Sequence, residues 1–336
     1  MLAIKVPLKE AESVKLYLVK RSLLNKQFSI KKQKNFIFFP VLRRFPSKHR
    51  FVNVSLSGRK VSPQSLKAGL VNELSASELK KVRASLDVIG DIAILEIPQE
   101  LNSKSKIIAS YLLKSHPSLK TVLKKGKHEG ELRTQKLSFL AGENGRETVH
   151  KENGVRVKLD VGKVYFSPRL SEERKRISQQ IKSGEKILVL GSGCGIYPLV
   201  LAKNSGAKEV VGIELNPRGH KYALENVKLN RLSNVRFYHG DVQKVLPYLK
   251  ESFDRIVMPL PKNAVEFLPL ALSTVSKRSV IHFYCFERED DLENAKNLVL
   301  KACRQAALSS KFLRLVKCGQ VGKRLFRVCV DVQVSV

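Results

Sequence analysis

A short glycine-rich segment constrains this chain more than any other feature: residues 187–197 read ILVLGSGCGIY. Four apolar residues predict a buried strand, and the glycines after them predict a tight turn into a helix. Gly191, Gly193 and Gly195 have no Cβ, so the backbone can turn sharply and approach a ligand closely. A strand, a glycine turn and a helix in this order are typical of nucleotide-binding α/β folds. The motif alone does not separate dehydrogenases from methyltransferases.

Strands and helices alternate along the chain from Pro168 onward. Such alternation predicts an α/β domain with a parallel sheet that is covered on both faces. The tail, residues 312–334, reads as a closing antiparallel pair. The predicted strands are KILVL, EVVGIEL, VRFYHG, RIVMPL and SVIHFYCF, and the predicted helices are SEERKRISQQI, PLVLAKN, RGHKYALENVKLN and residues 288–307.

Two acidic residues near the ends of later strands indicate the ligand class. Glu214 lies 21 residues after Gly193, where a carboxylate can accept both ribose hydroxyls of an adenosine. Asp241 follows the third strand, where it can accept from an adenine amino group. These positions suit S-adenosylmethionine better than NAD, because a pyrophosphate favours a bare helix N-terminus and here Tyr197 and Pro198 follow the glycines. Alone, each acidic residue could instead be an exposed strand end or a helix cap, and Tyr197 could serve packing only.

The charge balance points to a polyanionic partner. The 336 residues include 62 Lys and Arg against 30 Asp and Glu, which gives a net charge of +32. Residues 1–70 alone hold 16 basic and 2 acidic residues. Such an excess repels itself unless a polyanion lies nearby, so nucleic acid is the leading partner class and an anionic membrane surface the second. A merely solvated basic surface is the alternative.

No segment predicts export or membrane insertion. No apolar run approaches the ~20 residues that cross a bilayer, and the N-terminus lacks the apolar core of a signal peptide. The five cysteines include no CxxC pair, which argues against a disulfide framework and a zinc site. We therefore expect a soluble, cytoplasmic protein with no bound metal and no membrane partner. We expect a monomer, although the sequence does not determine the oligomeric state.

The chain divides into three predicted domains. Residues 1–70 predict a small basic α+β module suited to phosphate contacts. Residues 71–160 predict a second, mostly antiparallel α+β domain with helices at ASELKKVRASL and KSKIIASYLLKSH and a strand at DIAILEIP. Residues 161–336 hold the α/β domain with the glycine turn.

Several further motifs occur together in one known family. GELRTQKLSFLAGE, HKENG, VYFSPR, SEERKRI, IELNP and HGDV follow one another over nearly the whole chain. In this order and at these intervals they resemble the archaeal and eukaryotic tRNA (guanine-37 N1)-methyltransferases. The resemblance implies a class I, Rossmann-like methyltransferase domain preceded by two smaller α+β RNA-binding domains, with S-adenosylmethionine as the methyl donor. It also implies that residues 1–70 read the outer corner of the tRNA, while the other domains grip the anticodon stem and flip out base 37.

The resemblance assigns roles to individual residues. Glu173 in SEERKRI matches the general base that takes the proton from guanine N1, and Arg133 in GELR matches the arginine that steadies charge on the base oxygen. The chemistry requires both, because protonated N1 is a poor nucleophile and negative charge builds on O6. Base flipping is required because N1 lies on the pairing edge. Without the resemblance, Glu173 would read as part of a solvated helix start. The residues predicted to bind the methyl donor are Tyr165, Arg174, Gly193, Tyr197, Glu214, Asp241, Val242 and Pro259.

Two positions depart from the common pattern. Val189 stands where many methyltransferases carry an acidic residue at the end of the first strand, so the donor's amino group needs another partner. Pro259 replaces the asparagine of the family's Asn-Leu-Pro and removes a side-chain amide. This resembles an archaeal branch linked to wyosine biosynthesis, some members of which also methylate a carbon of 4-demethylwyosine to give isowyosine. A less polar slot could admit that tricyclic base.

Two other functions fit part of the sequence. A methyltransferase of another RNA is compatible with the glycine turn and the charge, but not with the motifs around Glu173 and Arg133. A non-catalytic RNA-binding protein on a methyltransferase scaffold would account for Val189 and Pro259. The acidic residues expected for catalysis and donor binding are intact, however, which favours an enzyme.

Overall fold

The described part of the chain forms two compact units, Met1–Gly69 and Leu70–Val336. The computed structural model describes residues 1–25, 28–33, 35–56, 66–82, 86–130, 132, 134–262 and 264–336. Within these ranges, no helix is both long enough and apolar enough to cross a membrane.

The first unit is a four-stranded antiparallel sheet with one long helix. Its elements are β1 (Leu2–Pro7), α1 (Ala11–Lys20), β2 (Lys31–Gln33), β3 (Phe36–Pro40), β4 (Phe51–Asn53) and α2 (Leu66–Gly69). The strand order is β2-β3-β1-β4. Alternate residues of β1 and β3 point inward, so Ile4, Val6 and Phe39 form the core with Leu18 of α1.

The second unit begins with a mixed four-stranded sheet. Its elements are α3 (Ala76–Lys81), β5 (Leu86–Ile89), β6 (Ile92–Leu95), α4 (Ser105–Ser115), β7 (Thr121–Glu129) and β8 (Thr134–Gly142). The order is β5-β6-β7-β8, and β6 with β7 is the parallel pair. A capping box starts α3, in which Ser75 and Glu78 bond each other's backbone N–H. The predicted helix over ASELKKVRASL is too long, because Leu86 already pairs in β5.

A hairpin leads into the α/β part of the unit. It is formed by β9 (Glu147–Glu152) and β10 (Val155–Asp160). The elements after it are α5 (Ser171–Ser178), β11 (Lys186–Leu190), α6 (Ile196–Lys203), β12 (Glu209–Glu214), α7 (Pro217–Asn230), β13 (Val235–His239), α8 (Val242–Leu249), β14 (Phe253–Met258), α9 (Ala264–Leu272), β15 (Val275–Arg288), α10 (Leu292–Gln305), β16 (Ser309–Gly322) and β17 (Leu325–Ser335).

These strands form a seven-stranded sheet in the order β13-β12-β11-β14-β15-β17-β16. The first five are parallel, and β17 and β16 add the predicted antiparallel pair. Successive residues of β11 enter different cores: Ile187 and Val189 enter one, and Leu188 and Leu190 enter the other. The sheet is therefore covered on both faces, as predicted. Helices α8 and α9 were not predicted, because each contains an internal proline.

Side-chain amides of α7 hold the hairpin in place. Asn226 bonds both backbone groups of Lys158, accepting at 2.8 Å and donating at 2.9 Å. Asn230, one turn later, does the same to Arg156 at 2.8 and 2.6 Å. The Asn226 amide also donates to the Cys194 carbonyl at 3.0 Å. The hairpin and the glycine turn are thus tied to one helix.

Candidate active site

A cavity of about 330 Å³ lies at the carboxyl ends of the parallel strands. This is the edge at which open α/β sheets bind ligands, and the volume lies within the roughly 300–1,000 Å³ of small-molecule sites. Turns after β11, β12, β13 and β14 all contribute to its wall. All eight residues predicted to bind the methyl donor line it: Tyr165, Arg174, Gly193, Tyr197, Glu214, Asp241, Val242 and Pro259.

The glycine turn forms one wall of the cavity. Its backbone conformation favours glycine, so no side chain stands between the backbone and the cavity. Gly191 and Gly193 have φ angles of +70° and +58°, a left-handed region that favours glycine. A Cβ at Gly191 would collide with the side chain of Leu260. At Gly193 the nearest atom to a Cβ would be the Tyr165 carbonyl oxygen at 3.6 Å. The Gly193 backbone therefore faces open space in the cavity.

The Glu214 carboxylate is buried and fixed by the backbone. Its Oε2 accepts the N–H of Gly193 at 2.6 Å, and its Oε1 accepts the N–H of Asn216 at 2.8 Å. Burial raises the pKa of Glu214, although these two hydrogen bonds oppose the rise. Only 9% of the residue is exposed, so the interpretation as an exposed strand end is wrong. The remaining lone pairs can accept hydroxyl groups of a ligand.

Asp241 combines two of the roles considered for it. It is the N-cap of α8, and its Oδ1 accepts the N–H of Gln243 at 2.9 Å. The same side chain lines the cavity beside Val242, whose side chain is buried. The cap fixes the carboxylate at the end of β13, so the helix-cap interpretation and the ligand interpretation are compatible.

Arg174 is paired with a residue that sequence reasoning missed. Its Nε and Nη2 donate to the two carboxylate oxygens of Glu152 at 2.5 and 2.6 Å, and Nη2 also donates to the Ser167 carbonyl at 3.1 Å. Arg174 is 1% exposed, so this ion pair neutralises a deeply buried charge. The guanidinium lies 5.5 Å from the ring centroid of Tyr197. The pair joins the hairpin to the cavity wall.

Tyr165 and Tyr197 contribute aromatic walls, and each is anchored by its hydroxyl. The Tyr165 hydroxyl accepts from Nη2 of Arg327 at 3.0 Å. The Tyr197 hydroxyl donates to the hydroxyl of Tyr284 at 3.5 Å. Tyr197 is 4% exposed and lines the cavity, so it serves both packing and the pocket wall.

Glu173 lies behind the cavity, outside its described lining. It is 6% exposed, and its carboxylate accepts two hydrogen bonds from Arg176, both at 2.7 Å. Tyr284 donates a third, at 2.6 Å. Arg133 lies outside the described residues, but its neighbour Leu132 lines the cavity.

The two departures from the common pattern differ in their surroundings. Val189 is fully buried in the core of β11, whereas Pro259 lines the cavity beside Leu260. Among the described residues, one carboxylate besides Glu214 and Asp241 lines the cavity, that of Glu266, which the sequence reasoning did not single out. Glu266 was missed because it lies in α9, a helix that the sequence did not predict. Glu266 is a possible partner for a ligand amino group that Val189 cannot serve.

Three family models match successive parts of the chain. The TRM5/TYW2 methyltransferase domain matches residues 148–310, the TYW2 N-terminal domain matches residues 66–145, and the tRNA methyltransferase 5 N-terminal domain matches residues 3–49. The fold is thus a class I methyltransferase domain preceded by two smaller domains, as the resemblance implied.

Individual relatives cover the whole chain. The tRNA (guanine(37)-N(1))-methyltransferase Trm5b of Pyrococcus abyssi is 39% identical over 99% of both chains. Its crystal structure superposes with a TM-score of 0.78, at 36% identity and 100% coverage of both chains. A solved complex of aTrm5 and tRNALeu has a TM-score of 0.75, at 27% identity and 99% coverage of both. The tRNA (guanine(37)-N(1))/4-demethylwyosine(37)-methyltransferase Taw22 of Nanoarchaeum equitans is 33% identical, over 74% of this chain and 99% of its own.

Proposed function

Because the chain belongs to the TRM5/TYW2 family of tRNA methyltransferases, we propose that it transfers the methyl group of S-adenosylmethionine to N1 of guanosine 37 in tRNA. One observation carries the proposal: the eight residues predicted to bind the methyl donor line a single cavity, and Glu173 is linked to its wall residue Tyr197 through the hydroxyl of Tyr284. A non-catalytic RNA-binding protein on the same scaffold would not require these residues to line one cavity.

The cavity fits S-adenosylmethionine chemically. Apolar side chains such as Ile213 and Leu260 suit the adenine ring, and Glu214 and Asp241 offer acceptors for the ribose hydroxyls and the adenine amino group. Glu266 offers a carboxylate for the amino group of the methionine part. When bound, the donor supplies an electrophilic methyl group on a sulfonium, which leaves as a neutral thioether.

The residues of the chain supply the acid–base and electrostatic part of the reaction. Glu173 takes the proton from guanine N1, so that the N1 lone pair can form the new bond to carbon. Arg133 offsets the negative charge that builds on O6 during this step. The buried surroundings of Glu173 exclude water, which strengthens the electrostatic interactions of its carboxylate.

The test is nucleoside mass spectrometry of a tRNA-Phe transcript incubated with the protein and S-adenosylmethionine. Transcripts with guanosine or adenosine at position 37 are compared. We expect one added methyl on the guanosine transcript and none on the adenosine transcript. Methylation elsewhere in both transcripts would indicate a different RNA position. No methylation of either, with adenosylhomocysteine still bound, would indicate another RNA or a non-catalytic role.

A second activity is supported by Pro259. The Pro259 side chain lines the cavity at the position where the family has a polar asparagine. Taw22, whose name includes both guanosine-37 and 4-demethylwyosine methylation, is 33% identical to this chain. We propose that the chain also methylates 4-demethylwyosine to isowyosine. The assay uses tRNA that already carries 4-demethylwyosine, and the absence of a mass gain on that base contradicts the second activity while leaving the first intact.

The remaining parts of the chain serve RNA binding in this proposal. Residues 1–70 read the outer corner of the tRNA, residues 71–160 grip the anticodon stem, and residues 161–336 hold the methyl donor. The protein acts as a cytoplasmic monomer. Light scattering with and without tRNA tests the oligomeric state, and a protein dimer in free solution, or two protein chains on one tRNA, contradicts it.

A further inference from the structure

A chain of buried polar groups extends from Glu173 into the sheet. Arg176 donates to Glu173 through Nε and Nη2, and to Asp331 of β17 through Nη1 at 2.5 Å and Nη2 at 3.2 Å. One guanidinium is therefore shared by two carboxylates. Asp331 is fully buried, so it cannot exchange this partner for water.

The protonation state of the next residue follows from its neighbours. His282 Nε2 lies 2.7 Å from Nη1 of Arg255, and Nδ1 lies 2.6 Å from Oδ1 of Asp331. A guanidinium can only donate, so Nε2 must be the acceptor and the proton sits on Nδ1. His282 is thus neutral and donates to Asp331. The negative charge of Asp331 is held in place from both sides, by His282 and by Arg176.

Glu173 has a second, independent partner. The Tyr284 hydroxyl donates to its Oε1 at 2.6 Å, and in turn accepts from Tyr197 at 3.5 Å. Burial raises the pKa of Tyr284 well above its ordinary value, so the phenol keeps its proton and remains a donor. Tyr197 lines the cavity, so this row of hydroxyls connects the methyl-donor site with the proposed base.

Tyr284 and Asp331 change the basicity of Glu173 in opposite directions. A hydrogen bond from Tyr284 stabilises the Glu173 carboxylate and makes it a weaker base. Asp331 acts in the other direction through Arg176. When Glu173 becomes protonated, Arg176 keeps an ion pair with Asp331. Without Asp331, this half-buried cation would lose the second of its two described carboxylate partners.

We propose that Asp331 and Tyr284 are positioning residues that set the basicity of Glu173 in opposite directions, Asp331 raising it through Arg176 and Tyr284 lowering it. This inference rests on the proposed role of Glu173 as general base. The inference adds two residues on strands, Tyr284 in β15 and Asp331 in β17, which lie 111 and 158 positions after Glu173 in the sequence. The groups that face Glu173 from the elements packed around it are Arg176, Tyr197, Tyr284, Cys318 and Cys329. Asp331 is faced by Arg176, His282, Cys329 and Arg314, whose Nε lies 3.7 Å from Oδ2 of Asp331.

The same cluster resembles a metal site only in composition. Potential ligand atoms of His282, Cys329 and Asp331 lie within 4.8 Å of one another. The guanidinium groups of Arg176 and Arg255 both bond to members of this cluster, however, and they would repel a cation. We therefore assign the cluster to hydrogen bonding around Glu173.

The test is the pH dependence of the single-turnover rate of methyl transfer, with enzyme in excess over the tRNA transcript. In the wild type, we expect the rate to rise with pH to a plateau, as for a reaction that needs a deprotonated base. For Tyr284→Phe we expect the midpoint of this rise to move up by about one pH unit. For Asp331→Asn we expect it to move down by about one pH unit, with a lower plateau rate. Neither change should alter adenosylhomocysteine affinity, because neither side chain lines the described cavity.

Matched control variants exist for both changes. Tyr222→Phe removes a similar hydroxyl–carboxylate bond, to Glu147 at 2.7 Å, outside the site. Asp254→Asn changes a carboxylate that accepts from the Lys186 N–H and the Ser276 hydroxyl. Both controls should keep the wild-type midpoint. Unchanged midpoints in Tyr284→Phe and Asp331→Asn, or shifts in the same direction, overturn the inference.

Glu173→Gln separates the failure of this inference from that of the proposed function. If it abolishes methyl transfer while the two other midpoints stay unchanged, the base is right and the tuning is wrong. If it keeps the activity and the same pH rise, Glu173 is not the base: its proposed role and this inference both fall, whereas the proposed methyl transfer stands. Should Asp331→Asn fail to fold in a thermal scan, Tyr284→Phe decides alone: an upward shift supports the inference and no shift overturns it.

Discussion

At the scale of single residues, the Glu214 carboxylate shows how one side chain can join two turns of the fold at the wall of the cavity. Each of its oxygens accepts a backbone N–H, from Gly193 at 2.6 Å and from Asn216 at 2.8 Å. The side chain therefore joins the turn after β11 to the turn after β12. A glutamine in its place would turn an NH₂ group towards one of these donors, so the isosteric change is not conservative.

We predict that Glu214→Gln weakens adenosylhomocysteine binding by about 10- to 100-fold. A hydrogen bond to a charged group contributes roughly 1.5–3 kcal/mol, and about 1.4 kcal/mol corresponds to a tenfold change in affinity. Isothermal titration calorimetry measures the effect. Glu209→Gln, at the other end of β12, removes only partly exposed ion pairs with Lys186 and Arg236 and should leave affinity unchanged. Equal affinities of wild type and Glu214→Gln would contradict the assignment of the ribose site.

We predict that His282 makes the fold sensitive to mild acid. Burial lowers its pKa below the ordinary value, and hydrogen bonding to Asp331 only partly opposes this. Below about pH 6.5 the unfolded chain takes up a proton that the folded chain does not, so the free energy of unfolding falls as pH drops. The loss from this group reaches up to about 1.4 kcal/mol per pH unit until the pKa of the folded state is reached.

The check is urea unfolding of wild type and His282→Asn between about pH 7.5 and pH 5. Asparagine keeps an N–H donor for Asp331 but does not titrate. The decline of stability below about pH 6.5 should therefore be shallower in the variant. Parallel curves for the two proteins would show that His282 is not the group responsible.

At the scale of elements, the hairpin β9–β10 is positioned by a helix rather than by a neighbouring strand. Asn226 and Asn230 of α7, four residues apart, lie on one face of the helix and bond the backbone of Lys158 and Arg156. The hairpin carries Glu152, which pairs with Arg174 in the cavity wall. The amides of α7 thus help to shape the methyl-donor site from a distance.

We predict that Asn226→Ala lowers the free energy of unfolding by about 2–4 kcal/mol, because it leaves several buried backbone groups without partners. Asn230→Ala should cost less, since its contacts lie near the surface and water can replace them. Chemical denaturation compares the two variants. Equal losses would mean that the amide bonds of Asn226 contribute no more than surface contacts do.

At the scale of the whole molecule, the net charge of +32 governs the encounter with RNA. The positive charge is not needed for donor binding, because the charged groups of the cavity are mostly carboxylates and the cation Arg174 is neutralised by Glu152. The two binding reactions should therefore respond differently to salt. Cation release from the phosphates makes protein–nucleic acid affinity fall steeply with ionic strength.

We predict that tRNA affinity drops by roughly 10³- to 10⁵-fold between about 50 and 200 mM KCl, as for six to ten phosphate contacts. Affinity for adenosylhomocysteine should stay nearly constant over the same range. Fluorescence anisotropy of a labelled tRNA and calorimetry of the small ligand measure the two. A tRNA affinity that is insensitive to salt would contradict binding through the basic surface.

The sequence by itself determined the architecture and the class of chemistry. The strand-to-helix alternation, the glycines and the position of Glu214 are local signals, because periodicity and backbone sterics act over a few residues. Ordered motifs along the chain then indicated the family. Local signals failed where a proline opposed the helical pattern. Pro247 and Pro269 prevented the prediction of α8 and α9, and the carboxylate of Glu266 in α9 was therefore missed.

Only the tertiary structure decided which charges meet. Arg174 with Glu152, and Arg176 with Asp331, are contacts between residues 22 and 155 positions apart. No spacing rule predicts such pairs, because they depend on how the hairpin and the last strand pack against α5. Burial then fixes their strength, since a charge removed from water needs its partner nearby. For this reason the motif could indicate Glu173 as the proposed base, but it could not predict the residues that surround it.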